Sequence, residues 1–248
     1  MQAVSKLLLQ TIKELQELPS LSDFALAGGT NLALRFNHRI SEDIDLFSTK
    51  IIGIKGFEQI ESEAKAFYGD KLLNIVYPIK ENDQFVDIRF YVAKKNVTIK
   101  VDIIQNMKAL YDFEMIKGVR CYDVKDIGLF KLVSCASRPA KKDIYDLEYI
   151  TESENLSDLY NMLRSKKEKF NKDTDKNIFD LDEDSYPIDN PYLLLLFDKR
   201  MATKQKIRHS HDNILNIEGS KSWHMASIKW RMKVRRLYQH LGIEYPKL

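Results

Sequence analysis

The residues best placed to do chemistry in this 248-residue chain are Gly28-Gly29-Thr30, the pair Asp43-x-Asp45, and two later carboxylates, Asp87 and Asp102. Two adjacent glycines let the backbone bend tightly and approach a ligand with no Cβ in the way. Thr30 then opens "TNLALRF", where apolar residues take up helical spacing. A helix start exposes unpaired N–H groups and partial positive charge, so Gly28, Gly29 and Thr30 can cradle a phosphate. The plainer alternative is a helix cap after a glycine turn. In "DIDLF", Ile44 and Leu46 alternate with Asp43 and Asp45, so a strand here puts both carboxylates on one face. Such a pair repels unless it is solvated or neutralised, and its hard oxygens suit Mg²⁺, which readily shares its shell with phosphate. An exposed polar strand edge is the alternative. Asp102 in "IKVDII" joins the pair if its strand is a neighbour, with Asp87 in "FVDIRF" as the competing third member. Three carboxylates around two metals can activate a hydroxyl and steady a leaving pyrophosphate.

The elements that must position these groups follow from periodicity. Residues 3–18 read as an amphipathic helix ended by Pro19. "FALAGG" is a short apolar strand or buried turn, and residues 57–68 are helical. "LLNIVYPIK", "QFVDIRFYVA" and "VTIKVDII" are β-rich runs separated by polar turns, expected to continue the same sheet in antiparallel order. From Val124 the texture becomes helical, in "VKDIGLFKLVSCASR" and then "KKDIYDLEYITES". Residues 171–191 are acidic and polar, a loop or linker, and "PYLLLLFDKR" reads as a buried helix start. The expected fold is α/β (α+β): a mixed sheet with flanking helices over 1–122, followed by a mainly helical half over 123–248.

Composition narrows the classes. With 44% hydrophobic and 30% charged residues the chain is an ordinary globular one, and 39 basic against 36 acidic residues leave a net charge of +3, too small to name a partner. The charge is unevenly spread, however: acidic residues over 143–190 give way from Lys199 onward to "DKRMATKQKIRHSH" and "KWRMKVRR", which favours a polyanionic partner. The two cysteines, Cys121 and Cys135, have no metal-ligand spacing and suit a reducing compartment. The N-terminus lacks a signal-peptide core, and no run approaches the ~20 apolar residues needed to cross a bilayer, so a cytoplasmic protein without membrane contact is expected. A P-loop NTPase is excluded by the missing G-x-x-x-x-G-K-[ST], and a protein kinase by the missing glycine loop and H-R-D series.

The segment "LAGGTNLALRFNHRISEDIDLF" resembles the opening motif of the AbiEii/AbiGii toxin family, MenT-like nucleotidyltransferases of the polymerase-β-like superfamily. There a Gly-Ser or Gly-Gly-Thr turn precedes a D-x-D at the interval seen here between Thr30 and Asp43. A second block, "VKDIGLFKLVSCASRPAKKDIYDLEYI", is similar to the family's later motif and puts Lys131, Arg138, Asp143 and Asp146 at its positions. The resemblance covers residues 20–150. It implies that Gly28, Gly29 and Thr30 hold the β- and γ-phosphates, that Asp43 and Asp45 hold the metals, Mg²⁺ or Mn²⁺, to which Asp102 is added as third ligand if its strand is a neighbour, and that Lys131 offers a point charge to the triphosphate of an NTP. It makes Asp143 functional, either orienting Lys131 or the nucleotide or forming an ion pair with Lys141 or Arg138, with Asp146 about one turn further on. His38 and Arg39 either contact phosphate or fix their loop, and Ser41 has turn or strand capping as its default role. Lys142-Asp143 stands where the family has Arg-Asp, which keeps the charge and alters the bidentate geometry.

Together these imply an enzyme, a metal-dependent nucleotidyltransferase that moves a nucleotide from an NTP to RNA or tRNA. It would act as the toxin of a toxin–antitoxin or abortive-infection, phage-defence pair with a cognate antitoxin, the helical half supplying Lys and Asp to the active-site cleft. The alternatives are a protein acceptor, or a catalytically silent relative that binds a nucleotide or partner. The C-terminal Trp223, Trp230, Arg231, Lys233, Arg235 and Arg236 either stack and pair with single-stranded nucleic acid or form an amphipathic helix with its tryptophans in the core.

Overall fold

A computed structural model of the chain describes residues 2–138, 140–181, 186–197 and 213–247. These fall into two compact units, a sheet unit over Gln2–Asp123 that the 170–181 segment rejoins, and a helical unit built from Val124–Lys169 and the described residues from 186 onward.

The sheet unit begins with α1 (Lys6–Gln16), started by the Ser5 hydroxyl accepting from Leu8 N and burying Leu8, Ile12 and Leu15 along one stripe. Pro19 opens a short 3₁₀ turn beyond it. Then follow β1 (Ala25–Leu26), α2 (Gly28–Phe36), β2 (Ile44–Phe47), α3 (Gly53–Tyr68), β3 (Leu72–Val76), β4 (Asp87–Lys94), β5 (Val97–Ile104), β6 (Glu114–Ile116) and β7 (Val119–Cys121). The strands make one mixed sheet in the order β3-β4-β5-β2-β1-β7-β6. β3, β4 and β5 are antiparallel to one another, as the alternation in their sequences predicts, and β5 then runs parallel to β2.

Period-two alternation explains the sheet's two faces. Ile88, Phe90 and Val92 on β4 and Ile99, Val101 and Ile103 on β5 are buried in the core, while Arg89, Tyr91, Thr98 and Lys100 alternate onto the other face. Lys95 at φ 50° turns β4 into β5. The β6–β7 hairpin was not anticipated from the sequence. Its strands are three residues each, joined at Lys117-Gly118 with φ of 51° and 76°, the conformation of a two-residue hairpin turn.

The polar 170–181 segment, expected as a loop or linker, contains two 3₁₀ turns and packs on the sheet unit. Gln84 Nε2 donates to the carbonyls of Asp173 and Lys176 at 2.6 and 2.8 Å, and Asn106 Nδ2 donates to those of Thr174 and Lys176 at 3.0 and 2.6 Å.

The helical unit contains α4 (Val124–Ser137), α5 (Lys141–Ser153), α6 (Leu156–Lys169) and α7 (Trp223–Leu241). α7 starts at the Ser222 cap and stops at Gly242, whose φ of 68° suits glycine. Of the two readings of its tryptophans, the packed one holds: Trp230 is fully buried with its indole N–H donating to Leu194 O at 2.9 Å, and Trp223 meets Phe197 edge-on at 5.7 Å. Lys233 is drawn into α5, donating to the Glu148 and Thr151 side chains at 3.2 and 2.9 Å. The basic run "DKRMATKQKIRHSH" lies outside the described residues. Cys121 and Cys135 are both buried free thiols. Among the described residues, no helix is long and apolar enough to cross a membrane.

One buried amide joins the elements nearest the glycine turn. Asn31 Nδ2 donates to Leu26 O at 2.8 Å and Tyr122 O at 3.0 Å, and its Oδ1 accepts from Arg35 Nε at 2.7 Å. Asn31→Ala should therefore cost about 1–3 kcal/mol, read as a lower midpoint in urea with an unchanged slope.

Candidate functional site

The glycine turn and the second aspartate of the D-x-D meet in the sheet unit. β1 and β2 pair antiparallel with Leu26 opposite Leu46, and Ala27 N donates to Asp45 O at 2.8 Å. That pairing brings Asp45 to the first residue of α2. Gly28 has φ 61°, and a Cβ built on it would overlap the Asp45 carboxylate, so both the conformation and the space demand glycine. A Cβ on Gly29 would likewise overlap the Arg39 guanidinium. Ala27, the residue before α2, supplies no side-chain cap. The helix therefore presents first-turn N–H groups and its positive pole at the point where a carboxylate and a guanidinium converge.

The D-x-D is divided between two settings. Asp45 lies within β2 and is half-buried, whereas Asp43 precedes the strand and is exposed. The loop that leads there is held from below. Thr30 Oγ1 donates to the Asp43 carbonyl and lies 2.8 Å from Ser41 Oγ, and Thr30 is 1% exposed. The Thr30 hydroxyl thus fastens the loop, with the Ser41 hydroxyl beside it. Ser41 N also donates to Ala3 O at 3.0 Å, and Asn37, in the left-handed region at φ 50°, accepts from Ala3 N at 2.8 Å. His38 is buried and edge-on to Phe36 at 5.9 Å. Arg39, also buried, donates from Nη1 to Ile40 O at 3.2 Å.

Parallel pairing of β2 with β5 sets Asp45 opposite Asp102, the neighbourhood that a third carboxylate requires. Asp102, however, is itself neutralised. Arg89 Nε donates to its Oδ1 at 2.5 Å, and Lys100 Nζ stands 2.6 Å from Oδ2. Among the described residues no three Asp, Glu, His or Cys side chains are grouped to hold one metal ion. In donor chemistry Asp43 and Asp45 fit a hard divalent cation, and Asp102 would fit on leaving its two cations. Asp87 shares the face of Asp102, two residue pairs further along the sheet, and its Oδ1 accepts from Ile79 N at 3.1 Å. Burial, helped by the Asp102 charge, pushes its carboxyl up to about 6.

The second group of predicted residues lies in the helical unit. Lys131 on α4 reaches two carboxylates of α5, Asp143 Oδ1 at 2.6 Å and Asp146 Oδ2 at 2.9 Å. Asp143 also accepts at Oδ2 from Ser134 Oγ and Arg138 Nε, both at 2.9 Å. Both carboxylates are essentially fully buried. Burial alone would raise the Asp143 carboxyl, but the Lys131 and Arg138 charges outweigh it and hold the group at about 2. Of the partners expected for Asp143, Lys131 and Arg138 are both present. The sequence reading missed Glu148, also on α5 and fully buried, which meets Lys221 at 2.5 Å and Lys233 at 3.2 Å. Its partners are too distant in sequence to leave a local signal.

The comparisons agree with this architecture. The family model described as the nucleotidyl transferase AbiEii toxin of type IV toxin–antitoxin systems matches residues 12–220. An uncharacterised protein of Aquifex aeolicus, aq_aa25, is 26% identical over 159 residues, which span 63% of this chain and 72% of the relative. Among solved structures, MenT4, a nucleotidyltransferase toxin of Mycobacterium tuberculosis H37Rv, is similar with a TM-score of 0.54 at 14% identity, covering 95% of this chain and 83% of that one. At that identity the likeness speaks for the fold.

Two substitutions probe the site's construction. Gly28→Ala should destabilise the protein by about 1–3 kcal/mol through strain and overlap. Combined with Asp45→Ala its cost should fall, because removing the carboxylate relieves the overlap, and a double-mutant cycle in urea measures that coupling. Asp143 has a depressed folded-state pKa, so its stabilisation is present above the unfolded value of about 3.9 and is lost as pH falls toward 2. Asp143→Asn should lower Tm at pH 6 and shrink the acid-induced drop between pH 4 and 2, a component worth on the order of 2 kcal/mol in the wild type.

Proposed function

Given that the chain belongs to the AbiEii nucleotidyltransferase toxins of type IV toxin–antitoxin systems, and so is a nucleotidyl-transferring enzyme, we propose that it moves a nucleotide from an NTP to RNA in a metal-dependent reaction. The observation that carries this reading is the seat of the Asp45 carboxylate against Gly28 at the uncapped start of α2. Phosphate oxygens are drawn to the first-turn N–H groups of α2, and the Arg39 guanidinium beside Gly29 adds positive charge. Asp45 at that position, and Asp43 two residues before it in the chain, would supply hard oxygens. A bound Mg²⁺ or Mn²⁺ would draw charge from the triphosphate and favour the ionised acceptor hydroxyl. Thr30, Ser41 and His38 serve the site by fixing the loop from which Asp43 projects.

In the reaction the acceptor oxygen bonds to the α-phosphorus while the bond to the bridging oxygen breaks. Pyrophosphate leaves with that electron pair, and the hydroxyl proton passes to a carboxylate or to water. Gly28 lets the α2 backbone come close to the leaving group, and Asp45 would hold the divalent cation whose charge offsets that of the departing pyrophosphate. Lys131 enters through the resemblance of the 124–150 block. Its ammonium is held by Asp143 and Asp146, so its position is fixed. We assign the activity to a cytoplasmic toxin, countered by a cognate antitoxin and serving phage defence.

The test is transfer of label from each α-labelled NTP to total RNA with Mg²⁺, alongside Asp45→Ala and Lys131→Ala proteins whose folding is checked by circular dichroism. Asp45→Ala should lower labelling by more than about a hundredfold, the scale on which loss of one preorganised charge partner acts. Label on protein would redirect the acceptor. Nucleotide binding without any label would turn the reading to a silent binder.

A further inference from the structure

The face of the sheet that carries Asp45 and Asp102 continues outward as an uncovered strip that the catalytic reading does not use. Register places its residues in rows. Asp45 lies opposite Asp102, Asp102 opposite Arg89, and Arg89 opposite Val76 on the edge strand. In the next row Lys100 lies opposite Tyr91, and Tyr91 opposite Leu73, with Thr98 and Ala93 beyond. Val76 is 51% and Leu73 38% exposed, Thr98 is exposed, and Tyr91, Arg89 and Lys100 are half-buried. Each row crosses strands spaced about 4.8 Å apart, so the strip leads from the carboxylates to the sheet edge in a few nucleotide lengths.

Its chemistry is that of a single-stranded polynucleotide seat. Tyr91 and the apolar edge offer a platform for a base, and Arg89 and Lys100 offer cations for phosphate. Arg89 pairs with Asp102 through Nε alone, and among the described residues its two terminal nitrogens make no hydrogen bond. Both cations share one carboxylate, Asp102, which leaves the trio a single net positive charge, so the strip's affinity for a polyanion depends on what Asp102 is doing.

We propose that this face of β3, β4 and β5 is the docking surface for a single-stranded RNA acceptor. Tyr91 stacks a base and Arg89 and Lys100 pair with phosphates, while Asp102 masks the two cations until a divalent cation draws it away. This rests on the transferase reading for the identity of the site beside it. Metal binding would then free the second cation and make the strip more basic, and acceptor affinity would rise with it. An acidic protein partner would find the cations but no use for the stacking face.

The test is anisotropy of a fluorescein-labelled single-stranded RNA decamer, without NTP, with and without Mg²⁺. Wild type should bind more tightly with Mg²⁺, and Asp102→Asn should bind as tightly without it. Arg89→Ala/Lys100→Ala should bind about tenfold or more weakly in both conditions, with a shallower salt slope. Tyr91→Ala should lose about fivefold or more, the lower end of base-stacking effects. Thr98→Glu, an exposed change that spares the core, should also weaken binding should the double variant fold poorly. Wild-type affinity in Tyr91→Ala and in Thr98→Glu would overturn the proposal, as would poly-glutamate displacing RNA at equal charge. Binding of a fluorescent NTP, measured on the same proteins, separates the two readings. Loss of RNA binding with NTP binding kept supports the docking surface, whereas a wild type that binds RNA here but no NTP overturns the transfer reading alone.

Discussion

The Asp45 carboxylate occupies space that any side chain at residue 28 would claim, and the arrangement of the sheet unit's polar end depends on that trade. Antiparallel pairing of β1 with β2 brings the two residues together. The positive φ of Gly28 then launches α2 so that its first turn opens beside the carboxylate. Were residue 28 larger, the carboxylate or the helix start would have to move, and either shift separates negative from positive poles that attract each other. The fastening of Thr30 to the Asp43 carbonyl keeps the strand entrance in place against the same helix.

Carboxylates in this protein are managed in distinct ways according to their surroundings. Asp143, Asp146 and Glu148 are buried in the helical unit and are each met by lysine at hydrogen-bonding range. Breaking such a group leaves an unpaired buried charge, so these contacts specify how α4, α5 and α7 are joined more than they add to net stability. Asp102 is shared by an arginine and a lysine at the boundary of the core. Asp87 has no cation in hydrogen-bonding contact among the described residues, and its proton affinity rises instead. Asp45 is set against the start of α2 and Asp83 against that of α3, where its Oδ1 accepts from Ile54 N at 2.7 Å; there the partner is backbone, which no side-chain substitution removes.

Much of this was legible beforehand. Alternation in β4 and β5 and the helical spacing of α1 and α5 follow from periodic burial, and the resemblance to the AbiEii family holds over residues 12–220. Asp43 was expected inside the strand because alternation extends to it, but its carbonyl is taken by Thr30 rather than by a neighbouring strand. The β6–β7 hairpin escaped notice because three-residue strands carry too little periodicity to register. Lysines 221 and 233 gave no hint of Glu148, since an ion pair across that much chain leaves no local pattern. Arg89 and Lys100 looked like ordinary strand polarity until the register put both on one carboxylate.

The return of residues 170–181 to the sheet unit makes that unit discontinuous in the chain. The backbone leaves after Asp123, builds three helices and comes back to accept from the side-chain NH2 groups of Gln84 and Asn106 before departing again. A fragment ending at the first crossing would lack its own closing strap and expose the amides that the strap covers. The gene segments for the two halves are thus interleaved rather than appended. Recombination that exchanged one half cleanly for another would have to cut in more than one place, which ties their evolution together.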